Sequence, residues 1–539
     1  METLTRRDLR WLAPPLLAGA AVAVVYLATN RYPAFGAGLY FAIVEELLAC
    51  FPCLPATIPG YTAEGVPFAY PPAAYLLLTP LVAAGADPIL VSRLLPPLWT
   101  VLYLVPAYLF ARDLRDSRAV GAVAALSIAV NPQILQWHIS AGGVVRGFAM
   151  LVVLTGLYTG LRLFRTGDRR WLAASTALFG LAVLTHPTYS LFFVVGYVLL
   201  WATVDRSPRG FGHGVAVGVG GVLLASPWWL SVVSIHGPTV FTAAAGTHGG
   251  VGGGLARLFG ASGWSLLVLA GGALLLAAGH VLLPAWLLAS EVLFIQPRFA
   301  YLVGSIVLAV LAVEHVLPRV ASSDRIAAAV NRVTATVTGD AAGWSESTTV
   351  PSSDSEATSD PEATSDRRGV TSALAAGVLV VGTLVGPAIF AAHVTVGSDS
   401  TTPEFVDDSD RAAMDWARAE TPPDATVVVL SDAAEWFPLY ADRTMLVGPW
   451  GVEWRSRDAY DRQLNTFVEI SACETVECVD ARLAAVGAAP DYVYVPTDEY
   501  TIRGRRHAPT GLAAAMDGSD RYDRAFENDG VAVFRRTGS

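Results

Sequence analysis

Residues 61–75 read YTAEGVPFAYPPAAY. The stretch holds a single glutamate, Glu64, and a double proline, Pro71-Pro72, between two apolar runs. Whether the apolar run that follows, 71–86, crosses a bilayer decides the architecture, and the arginines answer that question. They cluster in RDLRDSR (112–118), RLFRTGDRR (162–170) and DRSPRG (205–210). Short loops rich in basic residues stay in the cytoplasm. The first apolar run, 12–28, follows Arg6, Arg7 and Arg10 and so leads outward. If 71–86 and 91–111 both crossed, 112–118 would fall outside. The shorter run starts at the double proline and carries Pro80. It is therefore expected to be a partly inserted extension of the first outer loop, which is tolerated where protein buries the backbone.

Working outward, the remaining apolar runs are 119–136, 147–163, 171–185, 188–204, 213–233, 263–280, 281–296, 299–317 and 371–393. Of the 539 residues 53% are hydrophobic and only 15% charged, where a soluble domain carries about 25% charged residues. The expected fold is a polytopic α-helical membrane protein of about 11–12 membrane segments. The first run is too long for a signal core and no A-x-A site follows it, so it reads as a retained helix. Continuing the alternation puts 136–147, 185–190 and the glycine-rich region 234–262 outside. If 281–296 crosses, Gln296-Pro297-Arg298 is outside as well.

The expected organisation is a membrane domain over 1–320 with a long first outer loop (29–70). A disordered, cytoplasmic Ser/Thr/Asp-rich linker (321–370) follows, because it lacks a sustained apolar pattern. A last helix (371–393) then leads to an extracytoplasmic α/β domain (394–539). Strands are expected at 426–431, 444–448, 491–496 and 531–536, where β-branched residues cluster between turn signals. RAAMDWARAE (411–420) predicts a helix with Ala412, Met414, Trp416 and Ala419 on its apolar side, and further helices are expected at 454–471 and 479–487.

All 36 basic residues are arginine and the formal net charge is −10. A lysine-free, acidic surface suits the salt-rich cytoplasm of a halophilic archaeon. It excludes nucleic acid as a partner, which needs a basic face. Four cysteines permit three pairings. Two local disulfides, Cys50 with Cys53 and Cys473 with Cys478, are the simplest reading if both regions face outside. No GxSxG, Walker, HExxH or GxGxxG motif occurs in the context that its chemistry needs. The run GGVGGG (249–254 with Val251) reads as a flexible loop.

The candidate site groups lie at the outer edge of the bundle. Glu45 and Glu46 sit at one edge of YFAIVEELLACF, a segment expected to lie along the membrane surface on Phe41, Val44 and Leu48. Glu64 follows in the turn-rich stretch. His138, Arg146, His186 and Arg298, with Glu291 before it, complete the set. Ionisable groups at membrane depth are costly and mark function by default. Each also has a plainer role: a wet helix face, a solvated loop, an interfacial histidine, or an arginine reaching for lipid headgroups.

The pattern resembles the GT-C membrane glycosyltransferases, among them protein O-mannosyltransferases and lipid A aminoarabinose transferases. The matching elements are Tyr40, Leu54-Pro55, Gly65-Val66-Pro67-Phe68, Pro71-Pro72 and Arg93-Leu94. The resemblance covers about 1–320. It implies transfer of a sugar from a polyprenyl-phosphate carrier to an acceptor glycan, lipid or surface protein outside the cell. It also departs from the family at two places. The family's catalytic aspartate stands about four residues before the tyrosine, where this chain has Gly36. The position that is lysine before the double proline in the aminoarabinose enzymes is Tyr70. Glu64, Glu45 and Glu46 are then the candidates for the missing carboxylate. Arg298 and Arg146, with His138, His186 and Tyr70, are the candidates for binding the phosphate or substrate, since arginine grips phosphate bidentately. The bilayer is the other expected partner, and a divalent cation is the one cofactor left open. A transporter or flippase of a lipid-linked sugar, or a non-catalytic scaffold, is the alternative.

Overall fold

The computed structural model describes residues 4–246, 258, 263–294, 296–322, 361–395 and 402–537. Among the described residues six helices are long and apolar enough to cross a membrane, Arg6–Thr29, Gly143–Thr166 and Pro187–Val204 among them. Two bent pairs, Arg118–Val130 with Pro132–Ile139 and Pro208–Leu224 with Ser226–His236, pass the same test. Three shorter apolar helices add to them, Ala73–Ala83, Trp264–Ala277 and Leu282–Leu293. The segment after the double proline is the 11-residue helix Ala73–Ala83. At 1.5 Å per residue it reaches roughly 16 Å, about half a hydrocarbon core. It ends where Gly85 turns the chain with φ +83°. Asp87 then caps Pro88–Leu102 by accepting from the Leu90 N–H.

The first helix defines the two ends of the bundle. Thr5 and Asp8 form its capping box. Asp8 also meets Arg118 at 2.8 Å and Arg112 at 3.2 Å. Asp113 takes Arg112 at 2.6 Å and Arg162 at 3.4 Å, and Glu314 takes Arg115. At 24 residues the helix carries the chain roughly 36 Å to the other end. There Arg93 donates to the carbonyls of Asn30 (2.9 Å) and Leu27 (2.6 Å), satisfying the helix C-terminus.

The C-terminal region is a five-stranded mixed sheet. Its strands are β3 (Thr426–Val429), β4 (Thr444–Met445), β5 (Tyr492–Pro496), β8 (Tyr522–Glu527) and β9 (Val531–Arg536), in the order β4-β3-β5-β9-β8. β3 runs parallel to β4 and β5, while β9 is antiparallel to β5 and β8. The four expected strands are present. β8 was not expected: it is an edge strand whose side chains are mostly exposed, so YDRAFE lacks the apolar alternation of a buried strand. A hairpin, β6 (Tyr500–Ile502) and β7 (Arg505–His507), was also not expected. The helix Asp408–Glu420 buries Ala413, Met414 and Ala417. That corrects the expected apolar side: Ala412 and Ala419 are exposed and Trp416 is half-buried.

The first loop is part of this sheet domain's core rather than an appendage of the bundle. Its two short strands, β1 (Thr57–Ile58) and β2 (Val66–Pro67), pair with each other. The Thr62 N–H donates to the Met445 carbonyl, and the Met445 N–H to the Gly60 carbonyl, both at 2.8 Å. The Phe35 N–H donates to the Pro403 carbonyl at 2.7 Å. Ile58, Tyr61 and Val66 pack in one apolar core with Val427, Trp436 and Phe437. The helix Gly38–Cys50 was expected on the membrane surface. Instead it buries Phe41, Ile43, Val44 and Leu47 and packs on the helices Phe437–Ala441 and Ala73–Ala83. Protein covers the apolar face that lipid was expected to cover.

Disulfides join Cys50 to Cys53 and Cys473 to Cys478. Most of the expected linker and the GGVGGG run lie outside the described residues. The helix after the linker starts at Pro361, not at 371, and runs to Thr395. It packs along the first helix.

Candidate functional site

A cavity of about 720 Å³ lies where the bundle, the first loop and the sheet domain meet. The bundle contributes Arg146, His186 and Arg298, and the first loop contributes Tyr40 and Tyr70. Both arginines sit in the first turn of a helix, Gly143–Thr166 and Pro297–Val310, where the free N–H groups and the macrodipole add to the attraction for an anion. Arg146 Nη2 donates to the Tyr40 hydroxyl at 3.1 Å, and its guanidinium lies 5.3 Å from the Trp137 ring centroid. Arg298 is 5% exposed, between the rings of Tyr189 (5.4 Å) and Phe299 (5.1 Å). Among the described residues its Nε has no hydrogen-bond partner. Among the described residues neither arginine has a carboxylate within ion-pair distance, whereas Arg112, Arg115, Arg118 and Arg162 all do. Burying a cation without an anion is expensive. With no carboxylate paired to them among the described residues, these two guanidinium groups are left able to take an anion.

Of the expected binding residues, Arg146, Arg298, His186 and Tyr70 are brought together. His138 is not in the cavity wall. It is fully buried behind it, with Nε2 2.6 Å from the Tyr189 hydroxyl. It steadies the ring against which Arg298 lies, and the ring of His186 packs on the same tyrosine at 4.9 Å. Glu291 is buried in Leu282–Leu293 and does not line the cavity.

The three carboxylates expected to act do not reach the site. Glu64 is 78% exposed and pairs with Arg455 at 2.7 Å. Isolation in sequence misled here, because the partner comes from the far end of the chain. Glu45 and Glu46 sit on the less buried edge of Gly38–Cys50, outside the cavity wall. Burial pushes both carboxyls up, and Arg418 partly offsets this at Glu45.

The carboxylates that do line the cavity are Glu435 and Glu453, both from the sheet domain. Glu435 is 8% exposed, and burial pushes its carboxyl up to about 8, against the pull of Arg146 and Arg503. Burial also raises Glu453, which accepts from the Tyr70 hydroxyl. Arg503 reaches the cavity from a turn whose N–H groups, at Arg503 (2.9 Å) and Gly504 (2.7 Å), donate to the Asp432 carboxylate. These residues share one origin. Glu435 follows β3, Glu453 follows β4 and Arg503 sits in the turn of the β6–β7 hairpin that comes after β5, so all three lie in connections that leave the carboxyl ends of the parallel strands. That is where open α/β sheets place ligands. The loops SDAAEW, GPWGVEW and PTDEYTIRG after the predicted strands were the signal that could have found them.

Gly36, the place where the first loop lacks an acid, touches this group. A Cβ on Gly36 would fall 2.0 Å from Glu435 Oε2. The space that a side chain there would fill holds the glutamate's carboxylate.

For a divalent cation, the only His/Asp/Glu/Cys group of three with its atoms in mutual reach, among the described residues, is His280, Glu314 and His315. It lies at the arginine-rich end with Arg115, away from the cavity.

No family model matches the sequence, and no curated protein matches it. Solved structures do match in fold. An oligosaccharyltransferase from Archaeoglobus fulgidus, tethered to an acceptor peptide, aligns over 92% of this chain and 70% of its own, with TM-score 0.56 and 12% identity. The same organism's AglB, in complex with an inhibitory peptide and a dolichol-phosphate, aligns over 98% and 76%, with TM-score 0.51 and 14% identity. ArnT from Cupriavidus metallidurans, bound to undecaprenyl phosphate, aligns over 98% and 99%, with TM-score 0.53 and 17% identity. The chain thus has the GT-C fold, as a multi-pass membrane protein with a C-terminal sheet domain.

Proposed function

We propose that this protein is a membrane glycosyltransferase that moves a sugar from a polyprenyl-phosphate carrier to an extracytoplasmic acceptor. One observation carries the reading. Arg298 and Arg146 face a cavity of sugar-phosphate size with no carboxylate within ion-pair distance of either among the described residues, and two carboxylates, Glu435 and Glu453, line the same cavity. The arginines bind the carrier phosphate and stabilise the charge that grows on it as the sugar leaves. The carboxylates, near the other wall components Trp450 and Tyr460, suit a hydroxylic acceptor. Solved structures of this fold that hold dolichol-phosphate and undecaprenyl phosphate support the carrier class. They are glycosyltransferases, which favours transfer over the transporter and scaffold alternatives.

The reading places the N-terminus in the cytoplasm and the sheet domain outside. The arginine-rich loops at the end remote from the cavity support this, as do the disulfides in the first loop and sheet domain. The test is a deletion strain analysed for surface-glycan mass and complemented with wild type or Arg298→Ala. Loss of a glycan that only wild type restores is expected. An unchanged glycan profile on deletion, together with no binding of undecaprenyl phosphate to the purified protein, would overturn the reading.

A further inference from the structure

We infer that Glu435, carried by the sheet domain, is the carboxylate that takes the acceptor's proton during transfer, standing where a side chain on Gly36 of the first loop would otherwise stand. The inference rests on the transferase reading and goes beyond it. It moves a catalytic group from the membrane half of the chain to the other half.

Four observations converge. First, Glu435 lines the cavity that holds Arg146 and Arg298. Second, the space is shaped for it. Gly36 does not adopt the left-handed conformation that demands glycine, so glycine is there for room: its Cβ would strike Glu435 Oε2 at 2.0 Å. Third, the backbone that carries the carboxylate is clamped. The Tyr61 hydroxyl donates to the Glu435 carbonyl at 2.7 Å, and a Cβ on Gly38 would fall 2.0 Å from that same oxygen. Fourth, no cation lies within ion-pair distance of the Glu435 carboxylate among the described residues, so it is not spent on a structural pair. Glu453 differs, because the Tyr70 hydroxyl is bonded to it, which makes it a positioning residue. The raised carboxyl of Glu435, at about 8, belongs to a base matched to near-neutral working pH.

The acceptor hydroxyl oxygen forms a bond to the anomeric carbon. The bond from that carbon to the phosphate oxygen breaks, and its electron pair leaves with the polyprenyl phosphate, which gains one negative charge beside the arginines. The hydroxyl proton passes to Glu435 and then to water.

The experiment uses membranes of the deletion strain carrying each full-length variant, with their endogenous donor and acceptor. Product is read by mass spectrometry across pH, and undecaprenyl phosphate is the binding probe for the purified protein. Glu435→Gln is expected to lower the rate by about 10²–10⁴-fold while keeping probe binding. Wild-type rate is expected to rise with pH to a plateau, with a midpoint near 8, a rise that Glu435→Gln abolishes. The double variant Gly36→Asp/Glu435→Ala returns a carboxylate to the same space from the first loop. It is expected to outpace Glu435→Ala at least tenfold, and it decides the matter if Glu435→Gln loses probe binding. A Glu435→Gln rate above one tenth of wild type would overturn the inference while leaving the transferase reading intact. Absence of product from wild type would remove both.

Discussion

The two ends of the bundle use arginine in opposite ways. At the end remote from the sheet domain, Arg112, Arg118, Arg162 and Arg115 are held by Asp8, Asp113 and Glu314. At the cavity end, Arg146 and Arg298 rest on tyrosine, tryptophan and phenylalanine rings and have no acid partner among the described residues. A paired arginine ties helices together. An unpaired one, held among aromatic rings at a helix N-terminus that itself favours negative charge, leaves a site where an anion would be stabilised. The same side chain is structural at one end and receptive at the other, and the partner decides which.

The contrast can be broken most directly by removing a receptive arginine. Arg298→Ala is expected to cut transfer more than 100-fold and weaken undecaprenyl phosphate binding by about 2–3 kcal/mol. Its melting temperature should be unchanged or higher, because an uncompensated buried charge has gone. A fall in melting temperature with binding intact would make Arg298 a tie like the others. Asp8→Asn is the converse. Asp8 is 1% exposed, and breaking its pairs with Arg112 and Arg118 is expected to cost about 3 kcal/mol of stability. The folded fraction should still bind the probe with unchanged affinity.

A smaller effect separates Glu435 from a structural acid. Its folded-state value, about 8, lies above the roughly 4.3 of a free glutamate. The folded state then holds the proton that the unfolded state has lost. Its contribution is fully present below about 4.3, and stability falls as pH rises from there to about 8, by at most about 1.4 kcal/mol per pH unit. Chemical denaturation of wild type and Glu435→Gln over that window should show the slope in the former and a shallower one in the latter. Equal slopes would contradict the buried, proton-holding carboxyl. The smallest effect belongs to Glu64→Gln. This exposed partner of Arg455 is expected to leave the transfer rate within twofold, because exposed pairs are worth little. A larger loss would return Glu64 to the site.

Legibility followed the environment that each residue was read against. Arg146 and Arg298 stood out because charge is rare beside apolar helices. Glu435 and Glu453 did not, because they lie among the many acids of the C-terminal half, where one more carboxylate carries no local mark. Only the strand that precedes each of them distinguishes it, through the geometry of a parallel sheet. The shortness of the helix Ala73–Ala83 was legible because arginine alternation argued against a full crossing where hydropathy did not decide. The surface-helix reading of Gly38–Cys50 failed for a different reason. An amphipathic face shows that something covers it and not whether lipid or protein does.

The shared core of the first loop and the sheet domain has a consequence for synthesis. Ile58, Tyr61 and Val66 are made early, yet their partners Val427, Trp436 and Phe437 emerge only after the rest of the bundle. At about 5–20 residues per second the interval is roughly 20–80 s. Through that time the loop's apolar face is open to the bilayer or to a chaperone, and Gly36 faces an empty site. The helix Pro361–Thr395 packs along the first helix and precedes the sheet domain in the chain, so the cavity, which needs both loop and sheet, is the last part of the molecule that can be completed.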